Sequence, residues 1–192
     1  YRFASRVVTF GFARLLNTAS GMFFKNEFRL GDRLKITGNI EKIRELALKG
    51  TLIMTPTHSS NLDSLVMGWA IDAIGLPPFL YGAGLNLFNS RIFGFFMERL
   101  GAYKVDRRKK NLFYLETLKM YSRMVIERGC HSLFFPGGTR SRNGALENQL
   151  KLGLLGSAVE AQRLNFMRGP TETMGVAASH AKKEYVVPGV HN

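Results

Sequence analysis

The alternation of short apolar runs with longer amphipathic segments predicts an α/β fold, with a mostly parallel sheet covered by helices on both faces. Three observations carry this prediction. From residue 34 onward, β-rich runs alternate with segments of helical periodicity. The breaks between them fall at residues that stop helices or turn chains: Gly50, Pro77-Pro78, Gly129 and Pro136-Gly137-Gly138. Finally, 45% hydrophobic content in 192 residues suits one domain with a substantial core.

Residues 1–30 read as an amphipathic helical segment preceding an α/β domain at 31–192. Phe3, Val7, Val8, Phe10, Leu15 and Leu16 recur at helical spacing, with Arg2, Arg6 and Arg14 between them. Such a segment suits either a membrane surface or docking on the core. A short strand is expected at 34–37, then a helix at 40–48 stopped by Gly50, then a strand at 51–57. Asn61 or Asp63 can cap the next helix, which runs to residue 74. The chain is extended at 79–81 after the two prolines and forms a short helix at 91–100 and a strand at 102–105. The longest helix, 111–128, stops at Gly129. A strand at 131–135 ends in the Pro-Gly-Gly turn, a helix follows at 151–164, and a last strand at 185–190. Residues 166–184 lack periodicity and read as a loop or insertion. The chain starts at Tyr1 and ends just after a strand-like run, so it is expected to be a fragment trimmed at both ends, the α/β domain being cut short at its C-terminus.

The net charge of +13, from 27 Lys+Arg against 14 Asp+Glu, favours anionic partners: nucleic acid, phosphate-bearing substrates or an anionic membrane surface. One cysteine, Cys130, excludes an intrachain disulfide and a multi-cysteine metal site. It is expected as a small buried residue at a strand edge, which fits a reduced cytosol. No uninterrupted apolar run approaches the roughly 20 residues that span a bilayer. The nearest, 79–97, is broken by glycines, asparagines and Arg91.

Three clusters fall at expected strand ends, where parallel sheets collect chemistry. The first is Thr57-His58-Ser59-Ser60-Asn61-Leu62-Asp63, in which a carboxylate can fix the tautomer of His58 and make it a general base. Alternatively, His58 packs or caps and Asp63 is an acid at a helix N-terminus. Ser59 and Ser60 raise a serine hydrolase, but no Gly-x-Ser-x-Gly elbow surrounds them. The second cluster runs from Gly101 through Arg107 into Arg108-Lys109-Lys110, as if an anion sat at the strand end; a solvated basic loop is the alternative. The third is Phe134-Phe135-Pro136-Gly137-Gly138-Thr139-Arg140-Ser141-Arg142. Its glycines let backbone amides approach an oxyanion, and its arginines can grip phosphate bidentately. It is neither a Walker loop nor a dinucleotide fingerprint.

In this order the motifs resemble those of the glycerolipid acyltransferase family over roughly residues 35–192. His58 and Asp63, with four residues between them, match its first block. Gly101-Ala102-Tyr103-Lys104-Val105-Asp106-Arg107 resembles the second, and Phe135 to Arg142 the third, usually Phe-Pro-Glu-Gly-Thr-Arg-Ser. Lys151-Leu152-Gly153 resembles the Lys-x-Gly that follows, and Val186-Val187-Pro188 the fourth block. Pro77-Pro78, Gly82-Ala83-Gly84-Leu85-Asn86-Leu87 and Ser141-Arg142-Asn143-Gly144 are similar to the glycerol-3-phosphate and dihydroxyacetone-phosphate acyltransferase branch. The 1-acylglycerol-3-phosphate branch is the runner-up. Two departures stand out. Gly137 occupies the usual glutamate position, for which Glu147 and Glu160 are candidate substitutes, and Lys104 sits where an apolar or aromatic residue is usual.

The resemblance implies direct acyl transfer from a thioester, acyl-CoA or acyl-ACP, to the hydroxyl of a phosphorylated glycerol, with no metal or redox cofactor. It implies His58 as base and Asp63 as its orienter. Arg107, Arg140, Arg142 and Lys151 are candidates for the acceptor phosphate, and the amides of Gly138 and Thr139 for the oxyanion. Peripheral association with the cytoplasmic side of an anionic membrane is expected, and no nucleic-acid partner. Rival readings are a basic nucleic-acid- or membrane-binding module, an inactive scaffold and a serine esterase.

Overall fold

The computed structural model describes residues 3, 6, 7, 34–58, 63–89, 91–137, 150–169 and 183–189. Its central strand is β1 (Gly50–Pro56), flanked by β4 (Ser132–Leu133) and β5 (Lys183–Gly189), both parallel to it. A second parallel pair, β2 (Tyr81–Gly84) and β3 (Ala102–Val105), joins this sheet through a parallel bridge between Leu80 and Ser132. Leu80 N–H donates to the His131 carbonyl and Leu133 N–H to the Leu80 carbonyl, both at 2.8 Å. The strand order is therefore β3-β2-β4-β1-β5, all parallel, as expected when helices connect the strands.

The helices are α1 (Ile40–Lys49), α2 (Asp63–Ala73), α3 (Arg91–Arg99), α4 (Leu112–Glu127) and α5 (Gly153–Arg168). Their ends follow local chemistry. The Asn39 side chain accepts from Lys42 N–H, with Glu41 in the first turn and Lys49 in the last to complement the helix dipole. The Asn111 side chain accepts from Phe113 and Tyr114 N–H at the start of α4. That helix stops where Gly129, at φ 80°, lets its own N–H reach the Ile126 carbonyl and Cys130 N–H reach the Val125 carbonyl, a Schellman closure.

Alternation along the strands divides the core into two layers. Leu52 and Met54 of β1, with Leu133 of β4, pack against Met67, Ile71 and Ile74 of α2 and its C-terminal turn, with Met97 of α3 in the same cluster. Ile53, with Phe134, faces the other way onto Val125 and Ile126 of α4 and Ala158 and Ala161 of α5. Helices thus cover both faces, as the sequence predicts. Burying each large apolar side chain contributes roughly 1.5–3 kcal/mol before entropy is counted.

The structure corrects several expectations. Residues 34–37 form no strand; Ile36 instead packs on the first core layer from irregular chain. A 3₁₀ turn, Leu85–Phe88, follows β2. The ladder of β4 has only two residues, Phe134 N–H still donating to the Met54 carbonyl at 3.1 Å before the chain turns at Pro136. Helix α5 starts at Gly153, not 151, and continues to Arg168, into the stretch read as loop. Cys130 is exposed rather than buried, since it is the residue that leaves the helix in the closure at Gly129. Of the 1–30 segment only Phe3, Arg6 and Val7 are described, all helical, with Phe3 exposed; the rest of that reading lies outside the described residues.

Gly101 sets the start of β3. It sits at φ 93°, and a Cβ there would lie 2.3 Å from the Phe79 carbonyl oxygen, while its own carbonyl accepts from Tyr81 N–H at 3.1 Å. Gly101→Ala is therefore expected to destabilise the protein by more than about 2 kcal/mol. Denaturant unfolding measures this, and a change within experimental error would contradict the close approach.

Candidate active site

Parallel pairing brings the carboxyl ends of the strands to one edge, and the sequence loads that edge with polar side chains. Two residues beyond β1, the His58 Nδ1 lies 2.8 Å from Asp63 Oδ2, at the first turn of α2. Both side chains are nearly buried, at 14% and 10% exposed, so the contact is little screened by solvent. With Nδ1 held by a carboxylate, Nε2 is the ring nitrogen left to accept a proton. The Phe135 ring, just past β4, stacks on the imidazole with centroids 4.2 Å apart and planes 24° from parallel. Face-on stacking fixes the ring plane.

His58 borders a cavity of about 650 Å³. One wall is apolar or aromatic: Tyr103, Tyr114, Leu115, Leu118, Phe134 and Leu154. The lining also includes the cations Arg107, Lys109, Lys110, Lys119 and Lys151 and the carboxylate of Asp106. Elsewhere most charges are paired. Lys42 and Lys49 meet Glu45, Arg44 meets Glu41, Lys104 meets Glu98, and Arg163 meets Glu160. Within the cavity wall Lys119 is paired with Glu116 and Lys109 is near enough to the Asp106 carboxylate to attract it, whereas Arg107, Lys110 and Lys151 make no ion pair among the described residues.

The loop that presents these cations is anchored. Asp106 N–H donates to the Tyr114 hydroxyl at 2.7 Å, and Lys109 Nζ sits 5.4 Å from the centroid of the Tyr114 ring. Arg108, through its guanidinium and its backbone N–H, holds the Asp106 carboxyl below the usual carboxylate range. Asp106 is thereby engaged by Arg108 while Arg107 turns toward Gly84. A Cβ at Gly84 would lie 3.7 Å from the Arg107 Nε. Lys151 is fixed through its backbone, whose N–H donates to the Pro136 carbonyl at 2.6 Å.

His58, Asp63, Arg107 and Lys151 are thus gathered at one edge. Gly138, Thr139, Arg140 and Arg142 lie outside the described residues, as do Ser59, Ser60 and Glu147. Gly137 is buried in the turn after β4. Glu160 does not face this cavity; it is paired with Arg163 beside a separate groove between α4 and α5. Lys104 sits on β3, exposed and paired with Glu98 at 2.7 Å, outside the cavity lining. Sequence reading missed Phe135 as a partner of His58 and the wall residues Tyr103, Tyr114 and Leu118. Phe135 precedes the Pro-Gly turn, which is a usable signal; the wall residues depend on how α4 crosses the sheet.

A nearly buried histidine–carboxylate pair at the strand ends therefore borders a cavity whose lining includes several cations. The family model described as Acyltransferase matches residues 33–188, and the chain belongs to that family. Among curated proteins it is similar to "Glycerol-3-phosphate acyltransferase" of Histophilus somni (strain 129Pt), 34% identical over 132 residues, a stretch covering 68% of this chain. The chain spans 16% of the length of that relative.

Tyr103 reports on the cavity wall. Burial, and secondarily the neighbouring phenols Tyr121 and Tyr114, push its hydroxyl up to about 12 from 10.0. The proton is held more tightly in the folded state, so this group's contribution to stability is complete below pH 10 and is lost as pH rises from 10 toward about 12. An absorbance titration is expected to show one phenol ionising near pH 12 that Tyr103→Phe removes. Loss of an ordinary phenol instead would mean that the wall is wet at this point.

Proposed function

We propose that this protein is an O-acyltransferase that moves a fatty acyl group from a thioester, acyl-CoA or acyl-ACP, to the hydroxyl of glycerol-3-phosphate, in phospholipid biosynthesis. One observation carries the reading: a single cavity is bordered by His58, itself held by Asp63, and by cations and apolar or aromatic side chains. Those are the needs of a proton acceptor, a phosphate and an acyl chain. The printed name of the Histophilus somni relative supports the acceptor.

In this mechanism the Nε2 of His58 takes the acceptor's hydroxyl proton as the oxygen attacks the thioester carbonyl carbon. The carbon–sulfur bond breaks, and the departing thiolate takes up a proton. The Nδ1–H of His58 donates to Asp63, which holds the ring and stabilises the imidazolium formed in the step. Phe135 keeps the ring plane fixed. Arg107 and Lys151, together with Arg140 and Arg142, hold the acceptor phosphate, so that positioning adds to base catalysis. The amides of Gly138 and Thr139 are assigned to the oxyanion. No metal or redox cofactor is needed, because the thioester is already activated.

A 1-acylglycerol-3-phosphate acceptor is the second reading. The apolar wall suits an acyl chain on either substrate, so it accommodates this acceptor as well. Peripheral association with the cytoplasmic face of an anionic membrane fits the charge of +13. Among the described residues no helix is long and apolar enough to cross a membrane.

His58→Ala in the purified full-length protein is expected to lower turnover roughly 10²–10⁴-fold with the fold intact. Near wild-type thioester consumption would remove the histidine from the reaction. Arg107→Ala is expected chiefly to raise the KM for the phosphorylated acceptor, by roughly tenfold or more for a lost charge-assisted contact. Comparing glycerol-3-phosphate, dihydroxyacetone phosphate and lysophosphatidate in one thioester-release assay decides between the acceptors.

A further inference from the structure

The polar groups of the cavity, His58, Arg107 and Lys151, sit at the carboxyl edge of the sheet, and the lining turns aromatic and apolar back along the strands. On β3, Tyr103 and Val105 line the cavity, and Arg107 follows beyond the strand end. Alternation puts Tyr103 and Val105 on one face of the sheet. Helix α4 lies over that face and runs antiparallel to β3: the Tyr114 hydroxyl meets the Asp106 N–H, and the Tyr121 ring meets the Tyr103 ring. From Tyr114 to Tyr121 the helix rises about 10 Å. From Asp106 back to Tyr103 the strand covers about 10 Å as well, so the two elements stay in step.

The cavity ends where these two elements touch. Tyr114, Leu115, Leu118 and Lys119 of α4 line it, but Tyr121 does not. Tyr121 instead stands edge-on to Tyr103, with ring centroids 5.1 Å apart and planes at 64°. On β2 the lining goes back no further than Tyr81 and Gly82. Gly82 pairs with Tyr103, and a Cβ on it would lie 3.3 Å from the Tyr103 Cε2 and 2.9 Å from the Val105 Cγ2. Two residues before Gly82, on the same face, Leu80 packs with the core layer of Ile53, Val125 and Ile126 and does not line the cavity. The Tyr103 ring is thus seated on bare backbone, backed by Tyr121, with packed core beside it. Burial is also the main reason its hydroxyl is pushed up to about 12, as at a dry end.

We propose that Tyr103, seated on Gly82 and backed by Tyr121, is the end stop of the cavity and sets the longest alkyl chain it admits. The inference rests on the acyltransferase reading for the source of that chain, the acyl group of the thioester, and adds chain length to it. Tyr103 is a specificity-determining residue: it meets the methyl end of the chain, not the reacting atoms. Each further methylene gains affinity while it enters apolar space, and the gain ends where the next carbon would have to displace a packed ring.

The test is calorimetric binding of n-alkyl phosphates by the full chain, lengthened two carbons at a time from hexyl to hexadecyl and kept below their micelle concentrations. Their phosphate suits the cations at the strand ends. In the wild type, affinity is expected to rise about fourfold per methylene and to stop rising at one length. Tyr103→Ala is expected to move that length out by at least about two carbons, and to move the acyl-CoA preference in thioester release, read as kcat/KM, the same way. Tyr103→Phe, which keeps the ring, is expected to stay at the wild-type length. Tyr103→Leu and Tyr121→Ala, the second removing only the backing, repeat the test should the alanine variant fail to fold. An unchanged limit in the folded variants overturns the proposal. So does a wild-type affinity that climbs without limit through hexadecyl, or an absence of alkyl phosphate binding. A limit that moves for alkyl phosphates but not for acyl-CoA overturns the assignment to the thioester's chain and gives the stop to a monoacylated acceptor. A wild type without thioester turnover would count against the acyltransferase reading alone, because the binding series decides the stop without catalysis.

Discussion

Parallel pairing around β1 is the constraint on which the other features depend. Pairing β1 with β4 and β5 in the same direction sends every strand end to one edge and every return path through a helix. Thr51 through Met54 are 0–5% exposed, which is the burial of a strand covered on both faces. The sheet is thus a rigid base whose strand ends receive His58, Arg107 and Phe135 from separate stretches of chain. It can hold a histidine against a carboxylate at 2.8 Å and an aromatic ring against that histidine because all three are anchored within one or two residues of a strand or helix end.

The distribution of charge is as selective as the geometry. A chain with 27 cations and 14 acids has a large excess that pairing cannot absorb. Surface helices use their acids locally, at i,i+3 and i,i+4 spacing, in exposed pairs that water screens strongly. Around the cavity Arg108 takes up Asp106, while Arg107 beside it is left without a carboxylate among the described residues. The field there is consequently positive, and an anion entering the cavity meets cations that need not first break an ion pair. This distribution also bears on the nucleic-acid reading. Arg107, Lys109, Lys110 and Lys151 line a concave, partly aromatic cavity, a different arrangement from an open basic stripe.

Much of the layout was legible in the sequence because local chemistry wrote it. Asn39, Asn111, Gly50 and Gly129 punctuate helices by mechanisms that need no tertiary context, and the β3 strand was read at its observed limits. Errors arose where tertiary context decides. Leu34 and Ile36 alternate like a strand, but no described strand neighbours them, so Ile36 packs without a ladder. Cys130 has the composition of a core residue and was turned outward by the backbone closure at Gly129. The dyad was legible because its members are near in sequence. The stacking of Phe135 and the wall made by Tyr103, Tyr114 and Leu118 join residues dozens of positions apart. Spacing carries no trace of such contacts.

One contact far from the cavity has a mechanical consequence. At the C-terminal ends of α4 and α5, Glu127 lies between two guanidiniums. It accepts from Arg168 at 2.8 Å and sits 3.1 Å from the Arg123 Nε, close enough for attraction though not aligned as a hydrogen bond. The Glu127 side chain is only 12% exposed, so this attraction is less weakened by water than at an open surface. The helix pair is therefore clasped at its C-terminal ends, while the middle of α4, at Lys119, and the start of α5, at Gly153, border the cavity. Glu127 thus joins the two helices through side chains alone, so a change at this one acid loosens their C-terminal contact without touching a residue that lines the cavity.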